Sequence, residues 1–207
     1  GIDFGTSNST VGWRRPGADN LIALEDGKDT LPSVLFFNFE EQRPAFGRQA
    51  LGEYLDGYEG RLMRSLKSLL GSPLLGTVLG SALPFTQILG LFLGELKKRA
   101  EAVAGRPFEQ AVLGRPVFFV DDDPAADREA ADTLVQVARE QGFKEVSFQY
   151  EPIAAAFDYE AGIDREELVL IVDIGGGTSD FSLVRLAPAR RALAERQDDI
   201  LATGGVH

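Results

Sequence analysis

The chain has 207 residues, a formal net charge of -11 and no cysteine, and its only histidine is the last residue, His207. Disulfide bonds and thiolate chemistry are therefore excluded, and neither histidine-based catalysis nor a histidine-rich metal site is expected. The acidic charge argues against sequence-independent nucleic-acid binding, which needs a basic surface, and no apolar run is long enough for a membrane span. We expect a cytoplasmic protein that binds neither nucleic acid nor membrane.

The first half of the chain contains strands and two helical patterns. Residues 1–13 are predicted to form a strand, a turn and a second strand, and residues 31–39 a further strand. Leucines recur at helical spacing in residues 61–71, which are predicted to form a helix ended by Gly71 and Pro73. The clearest predicted helix covers residues 86–104.

Strands and helices alternate in the second half. Strands are predicted at residues 111–120, 145–149, 168–174 and 180–187. Helices are predicted at residues 124–141, with Asp123 as N-cap and Pro124 in the first turn, and at residues 152–161. The alternation indicates an α/β fold that also contains antiparallel hairpins, with its best domain boundary near residues 162–167.

One pattern occurs twice. Residues 172–180 read V-D-I-G-G-G-T-S-D, and residues 3–6 read D-F-G-T. Both follow an apolar strand and place an aspartate before a glycine turn, a threonine and another strand. Two such copies suggest a duplicated unit.

Several interpretations of the glycine loops compete. The sequence G-x-x-x-x-G-K-[ST] of a Walker loop is absent, and a dinucleotide fingerprint fails because its third glycine position is Asp180 and a strand follows. A hairpin whose amide groups bind an anion remains, with Mg²⁺ between the flanking acids and a phosphate. A tight hairpin without a ligand is the alternative for either loop alone, and the second copy favours the functional interpretation.

Four motifs carry a family resemblance: G-I-D-F-G-T-S-N-S, S-L-K-S-L-L-G, Y-E-P-I-A-A-A-F-D-Y and V-D-I-G-G-G-T-S-D. Together they resemble the ATPase domain of DnaK-type heat-shock chaperones, in the actin, hexokinase and heat-shock ATPase superfamily. F-Q-Y-E-P and V-L-G-R-P-V most resemble the divergent bacterial YegD-like proteins. The resemblance implies an actin-like ATPase fold of duplicated ribonuclease-H-like units, with residues 1–162 as the first lobe and residues 163–207 as the opening strands of the second.

The resemblance also assigns roles to individual residues. Metal-associated carboxylates would be Asp3, Glu151 and Asp173. Phosphate-loop residues would be Gly5, Thr6, Ser7, Gly175, Gly176, Gly177 and Thr178. Catalytic residues would be Lys67, Glu151, Asp173, Thr178 and Asp180.

These roles suit phosphoryl transfer, which depends on positioning and charge neutralisation more than on a strong base. Lys67 would lie beside the terminal phosphate, Glu151 would place the metal and the attacking water, and Asp180 would lie near that water. Ordinary roles compete, because a lysine on a helix is usually solvated and Glu151 also suits a helix N-terminus by its charge.

The expected ligands are ATP or ADP with Mg²⁺, with K⁺ as a further candidate cation. The expected function is an ATP-driven conformational switch in a DnaK-like, YegD-like protein whose partner is a protein client or co-chaperone. An actin-like scaffold or filament with little ATPase activity is the alternative, and a sugar-type kinase is a third. Because the chain starts and ends inside motifs, we expect a longer parent protein and an adenosine-binding motif after position 207, so these residues alone should bind nucleotide poorly.

Overall fold

The computed structural model describes residues 1–17, 20–70, 78–79, 83–176 and 179–206. The chain divides into two compact units. Unit 1 comprises Gly1–Leu113 and Phe119–Ser147, and unit 2 comprises Gly114–Phe118 and Phe148–His207.

The described residues form short strands and four longer helices. The strands are β1 (Ile2–Phe4), β2 (Asn8–Val11), β3 (Thr30–Pro32), β4 (Leu35–Asn38), β5 (Arg43–Phe46), β6 (Gly60–Met63), β7 (Val78–Leu79), β8 (Leu83–Pro84), β9 (Gln110–Arg115), β10 (Glu145–Tyr150), β11 (Glu167–Ile174), β12 (Ser179–Leu186) and β13 (Ile200–Val206). The helices are α1 (Gly47–Leu55), α2 (Phe85–Ala104), α3 (Pro124–Glu140) and α4 (Glu151–Gly162). Short 3-10 helices cover Leu66–Leu69, Pro188–Arg190 and Gln197–Asp199.

A mixed sheet with strand order β10-β9-β1-β2-β3 contains the start of the chain. Strand β1 runs antiparallel to β2 and parallel to β9, and β2 runs antiparallel to β3. Ile2 and Phe4 are buried on one face of β1 while Asp3 is exposed on the other, as the alternation of a half-covered strand requires. The Phe4 ring lies 5.7 Å from the ring of Phe92 on α2, so this helix helps to cover the sheet.

Two helices begin and end where the sequence predicts. Helix α2 is followed by Gly105 at φ +66°, a left-handed conformation that favours glycine. Helix α3 is capped by Asp123, whose carboxylate accepts hydrogen bonds from the N–H groups of Ala125 and Ala126 at 3.1 and 3.0 Å. Pro124 occupies the first helical turn, where its missing N–H leaves no hydrogen bond unmade.

Two predicted strands are too long. Residues 31–39 form β3 and β4, which belong to different sheets, because the chain turns at Val34, whose N–H donates to the Pro32 carbonyl at 2.8 Å. Strand β4 lies between β5 and β6 in a separate sheet. The strand predicted at residues 111–120 ends at Arg115, because Pro116 cannot donate a ladder hydrogen bond.

The prediction of a helix over residues 61–71 is wrong. Strand β6 pairs with β4, and only Leu66–Leu69 is helical, as a single 3-10 turn. Ser65 separates the two elements in a left-handed conformation at φ +53°, which no α-helix can contain. The predicted ends of that helix, Gly71 and Pro73, lie outside the described residues.

Unit 2 contains the antiparallel sheet β11-β12-β13, with α4 packed on one face. Ile153 and Ala156 of α4 form a buried cluster with Val184 and Leu186 of β12. The apolar run of β11 is covered on this face only. Its other face carries exposed apolar side chains: Leu168, Leu170, Val172 and Ile174.

Candidate functional site

The first glycine loop closes the hairpin of β1 and β2. Asp3 is the second-last residue of β1 and lies directly opposite Thr10, and the closing pair is Phe4 with Ser9. Its predicted phosphate-loop residues, Gly5, Thr6 and Ser7, lie together in this turn. Because Ile2 and Phe4 are buried on either side of Asp3, the backbone that carries this exposed residue is held at the edge of the core.

Gly5 is required by a close backbone approach. A Cβ atom at this position would lie 2.3 Å from the Asn8 carbonyl oxygen, a distance that no side chain can tolerate. Glycine at this position therefore allows the loop to be tight. A tight glycine loop in turn lets phosphate oxygens approach the backbone amides.

Two buried serines support this loop and were not predicted from the sequence. The Ser33 hydroxyl donates to the Gly5 carbonyl oxygen at 2.6 Å and lies 2.9 Å from the Ser9 hydroxyl. The Ser33 N–H also donates to the Ser7 carbonyl at 2.9 Å. The sequence around Ser33 does not indicate these contacts, because Ser33 and Gly5 are 28 positions apart in the chain.

Lys67 lies on the 3-10 helix Leu66–Leu69 of unit 1, and its side chain is half-buried. Leu66 and Leu70, on either side of it, are buried and anchor the turn. The backbone that carries this lysine is therefore held by packing, although the helix around it is much shorter than predicted.

The second glycine loop closes the hairpin of β11 and β12. Asp173 lies directly opposite Asp180, and the closing pair is Ile174 with Ser179. Gly175 and Gly176 follow β11 and are exposed. The other predicted residues of this loop, Gly177 and Thr178, lie outside the described residues.

Glu151 is the first residue of α4. Near the other end of this helix, the Tyr159 hydroxyl donates to the carboxylate of Glu167, the first residue of β11, at 2.6 Å. That hydrogen bond raises the pKa of Tyr159, because the Glu167 carboxylate accepts it from the neutral phenol and would repel a phenolate.

The two hairpins share one register. In each, an aspartate is the second-last residue of the first strand, and four residues separate the members of the closing pair, Phe4 with Ser9 and Ile174 with Ser179. The residues opposite the aspartates are Thr10 and Asp180. The internal repeat in the sequence is therefore also a repeat in the structure.

The chemistry of the second hairpin fits a divalent cation. Carboxylates directly opposite each other on a sheet repel, and Asp173 and Asp180 hold this position across β11 and β12. Within either unit, the described residues contain no group of three acidic or histidine side chains that could enclose a metal ion. Carboxylate oxygens such as those of Asp173 and Asp180 are the type of ligand that Mg²⁺ prefers.

Comparison with known proteins identifies the family. Residues 72–190 match the family described as Hsp70 protein. The chain is 30% identical over 212 residues to the chaperone protein DnaK of Elusimicrobium minutum, which covers 99% of the chain and 32% of that protein. It is 31% identical over 225 residues to the chaperone protein HscA of Pectobacterium carotovorum, which covers 99% of the chain and 34% of that protein. The chain belongs to the Hsp70 family.

A third relative shows the same pattern of coverage. The chaperone protein DnaK of Thermosipho melanesiensis is 31% identical over 190 residues, covering 90% of the chain and 30% of that protein. The chain thus spans about a third of the length of the curated relatives it matches.

Family membership and the mixed sheet together confirm the predicted fold class, α/β of the actin-like ATPase type. The residues are those of an Hsp70-type ATPase domain. The lobe boundary at residue 162 stays a prediction. Among the helices in the described part of the chain, none is both long and apolar enough to cross a membrane.

Proposed function

We propose that these residues bind the phosphates of Mg-ATP and that the protein containing them hydrolyses ATP to ADP and phosphate as a conformational switch. The observation that carries the proposal is the shared register of the two hairpins, each with an aspartate beside a glycine turn. A pair of equivalent loops is suited to a ligand with several equivalent anionic groups, such as a polyphosphate.

The loop residues hold the phosphate oxygens in this proposal. In the first loop, the backbone amides of Gly5, Thr6 and Ser7 donate hydrogen bonds to phosphate oxygens. In the second loop, the amides of Gly175 to Thr178 do the same. When bound, Mg²⁺ neutralises charge on the phosphates and polarises the transferred group. Asp3 and Asp173 would hold the ion through their carboxylates.

The remaining polar residues act on the terminal phosphate and the attacking water. The Lys67 ammonium offsets negative charge on the terminal phosphate. The Glu151 carboxylate orients the water and the metal, Asp180 accepts a hydrogen bond from the same water, and the Thr178 hydroxyl donates to a phosphate oxygen. Positioning of this kind supplies most of the catalysis in phosphoryl transfer.

Within the Hsp70 family we place the chain with the YegD-like proteins. F-Q-Y-E-P and V-L-G-R-P-V support this subtype. We further propose a protein client or co-chaperone as partner, because the curated relatives are named chaperones. A cytoplasmic location and a role for K⁺ stay predictions.

Phosphate release by the intact protein, at whatever length its gene encodes, tests the proposal. We expect slow turnover that falls by about 100-fold in Lys67→Ala, the order of loss seen when one electrostatic contact to a transition state is removed. Lys98→Ala is the matched control, because the Lys98 side chain is 79% exposed on α2. Equal turnover in Lys67→Ala and Lys98→Ala would contradict the assigned role.

Two further assays separate the alternatives on the same superfold. Sedimentation of ATP-dependent polymers, with no phosphate release, would favour an actin-like scaffold. Phosphorylation of an added sugar would favour a kinase. Membership of the Hsp70 family supports the switch over both.

A further inference from the structure

The hydroxyl of Ser33 links the end of β3 to the first glycine loop. Ser33 and Ser9 are both fully buried, with no exposed surface. Burial of a polar side chain is favourable only when its hydrogen bonds are made, and here both hydroxyls belong to one short network.

The direction of each hydrogen bond in this network is fixed. A carbonyl oxygen cannot donate, so the single Ser33 hydroxyl proton goes to Gly5 O, 2.6 Å away. The Ser9 hydroxyl must then donate to Ser33 across their 2.9 Å separation. The network runs from Ser9 through Ser33 to the loop carbonyl.

Fixing the Gly5 carbonyl also fixes the next amide. In a planar trans peptide the C=O and N–H groups point in opposite directions, so the Thr6 N–H points away from Ser33. The Ser33 N–H holds a second carbonyl of the loop, that of Ser7. Acceptors that would repel an anion are thus turned inward, and the Thr6 donor is turned outward.

We propose that Ser33 is a positioning residue for nucleotide phosphates, acting through the Gly5 carbonyl to aim the Thr6 amide at a phosphate oxygen. This role rests on the proposed function. Because Ser33 supports only the loop that holds phosphates, its hydroxyl should affect the binding of ATP and not the binding of adenosine.

The test compares Ser33→Ala with Ser9→Ala in the intact protein, with ATP and with adenosine as ligands. Both changes remove one buried hydroxyl, but only Ser33→Ala removes the hydrogen bond to the Gly5 carbonyl. We expect Ser33→Ala to weaken ATP binding by about tenfold, the value of one hydrogen bond, while adenosine affinity changes by less than about twofold. Ser9→Ala should weaken ATP binding by no more than about threefold, because the Ser33 proton still reaches Gly5.

Unchanged ATP affinity in Ser33→Ala, or an equal loss for ATP and adenosine, would overturn the positioning role alone. Failure of the wild-type protein to bind ATP would overturn the proposed function and this role with it.

Discussion

Asp173 and Asp180 are placed where a sheet normally avoids like charges. They lie directly opposite each other across β11 and β12, with Asp173 exposed and Asp180 half-exposed. Cross-strand pairs of like charge destabilise a sheet, typically by a few tenths to about 1 kcal/mol. Their position is therefore unfavourable for folding, and under the proposed function it serves to hold a cation.

This placement predicts opposite effects on stability and activity. We expect Asp180→Asn to raise the free energy of unfolding of the metal-free chain by about 0.5 kcal/mol, because the cross-strand repulsion is removed. The same change should lower ATP turnover. Urea unfolding and phosphate release measure the two effects.

Asp164→Asn provides the control for that prediction, because Asp164 is an exposed acid in the loop between α4 and β11. We expect it to change neither stability nor turnover. A loss of stability in Asp180→Asn would show that the two carboxylates do not repel.

At the scale of elements, Glu53 joins α1 to two strands. Its carboxylate accepts hydrogen bonds from Asn38 of β4 at 2.9 Å, from Arg43 of β5 at 2.7 Å and from Gln49 of α1 at 2.9 Å. Burial alone would raise the pKa of Glu53, but these donors outweigh it and hold the pKa below its usual value of 4.5. The ionised form is thus bound more strongly in the folded state.

The lowered pKa of Glu53 gives stability a pH dependence in acid. A folded-state pKa below the unfolded value contributes stability above the unfolded pKa, and this is lost as the pH falls through the folded pKa. We expect Glu53→Gln to be less stable than wild type at pH 7, with the difference shrinking below pH 4.5. Urea unfolding at several pH values tests this, and a difference that is constant with pH would contradict it.

A buried ionic cluster holds the segment after β12 against α4. The Arg196 guanidinium forms a forked pair with Glu160 at 2.9 and 3.1 Å and also bonds to Asp199, which pairs with Arg190. The Glu160 carboxylate also accepts from the Ala187 N–H at 3.2 Å. Burial alone would lower the pKa of Arg196, but its hydrogen bonds to the Glu160 and Asp199 carboxylates outweigh burial and raise the pKa above its usual value.

Removing Arg196 should be costly because it leaves two buried carboxylates without their shared partner. We expect Arg196→Met to lower the free energy of unfolding by about 3–5 kcal/mol, and to speed hydrogen exchange at Ala187. Arg165→Met is the control, since the Arg165 side chain is 80% exposed. A loss below about 1 kcal/mol in Arg196→Met would contradict the structural role of the cluster.

Elements set by local chemistry could be predicted from the sequence, and elements set by distant partners could not. Asp123, Pro124 and Gly105 act within one turn of the helices they bound, so α2 and α3 were predictable. Strand β6 depends on its pairing with β4, and the support of Gly5 by Ser33 depends on a contact across 28 positions. The candidate site divides in the same way, because its loops are local motifs and their supports are not.

The whole chain spans about a third of the length of its curated relatives, and under the proposed function the complete nucleotide is bound by the intact protein. We expect the chain of 207 residues alone to bind Mg-ATP weakly, because it corresponds to only that third of the related proteins. Isothermal titration measures this. A submicromolar dissociation constant for the isolated chain would contradict the prediction.

In the proposed site, two aspartate-flanked loops hold ATP phosphates through Mg²⁺, and one titration distinguishes this arrangement from binding that needs no metal. The affinity of the intact protein for ATP is measured with Mg²⁺ and again with the metal removed by a chelator, in wild type and in Asp173→Asn. We predict that removing the metal weakens ATP binding by wild type at least about tenfold, a change of about 1.4 kcal/mol, and has little effect on Asp173→Asn. Equal affinity for ATP with and without Mg²⁺ in the wild-type protein would contradict phosphate binding through the metal.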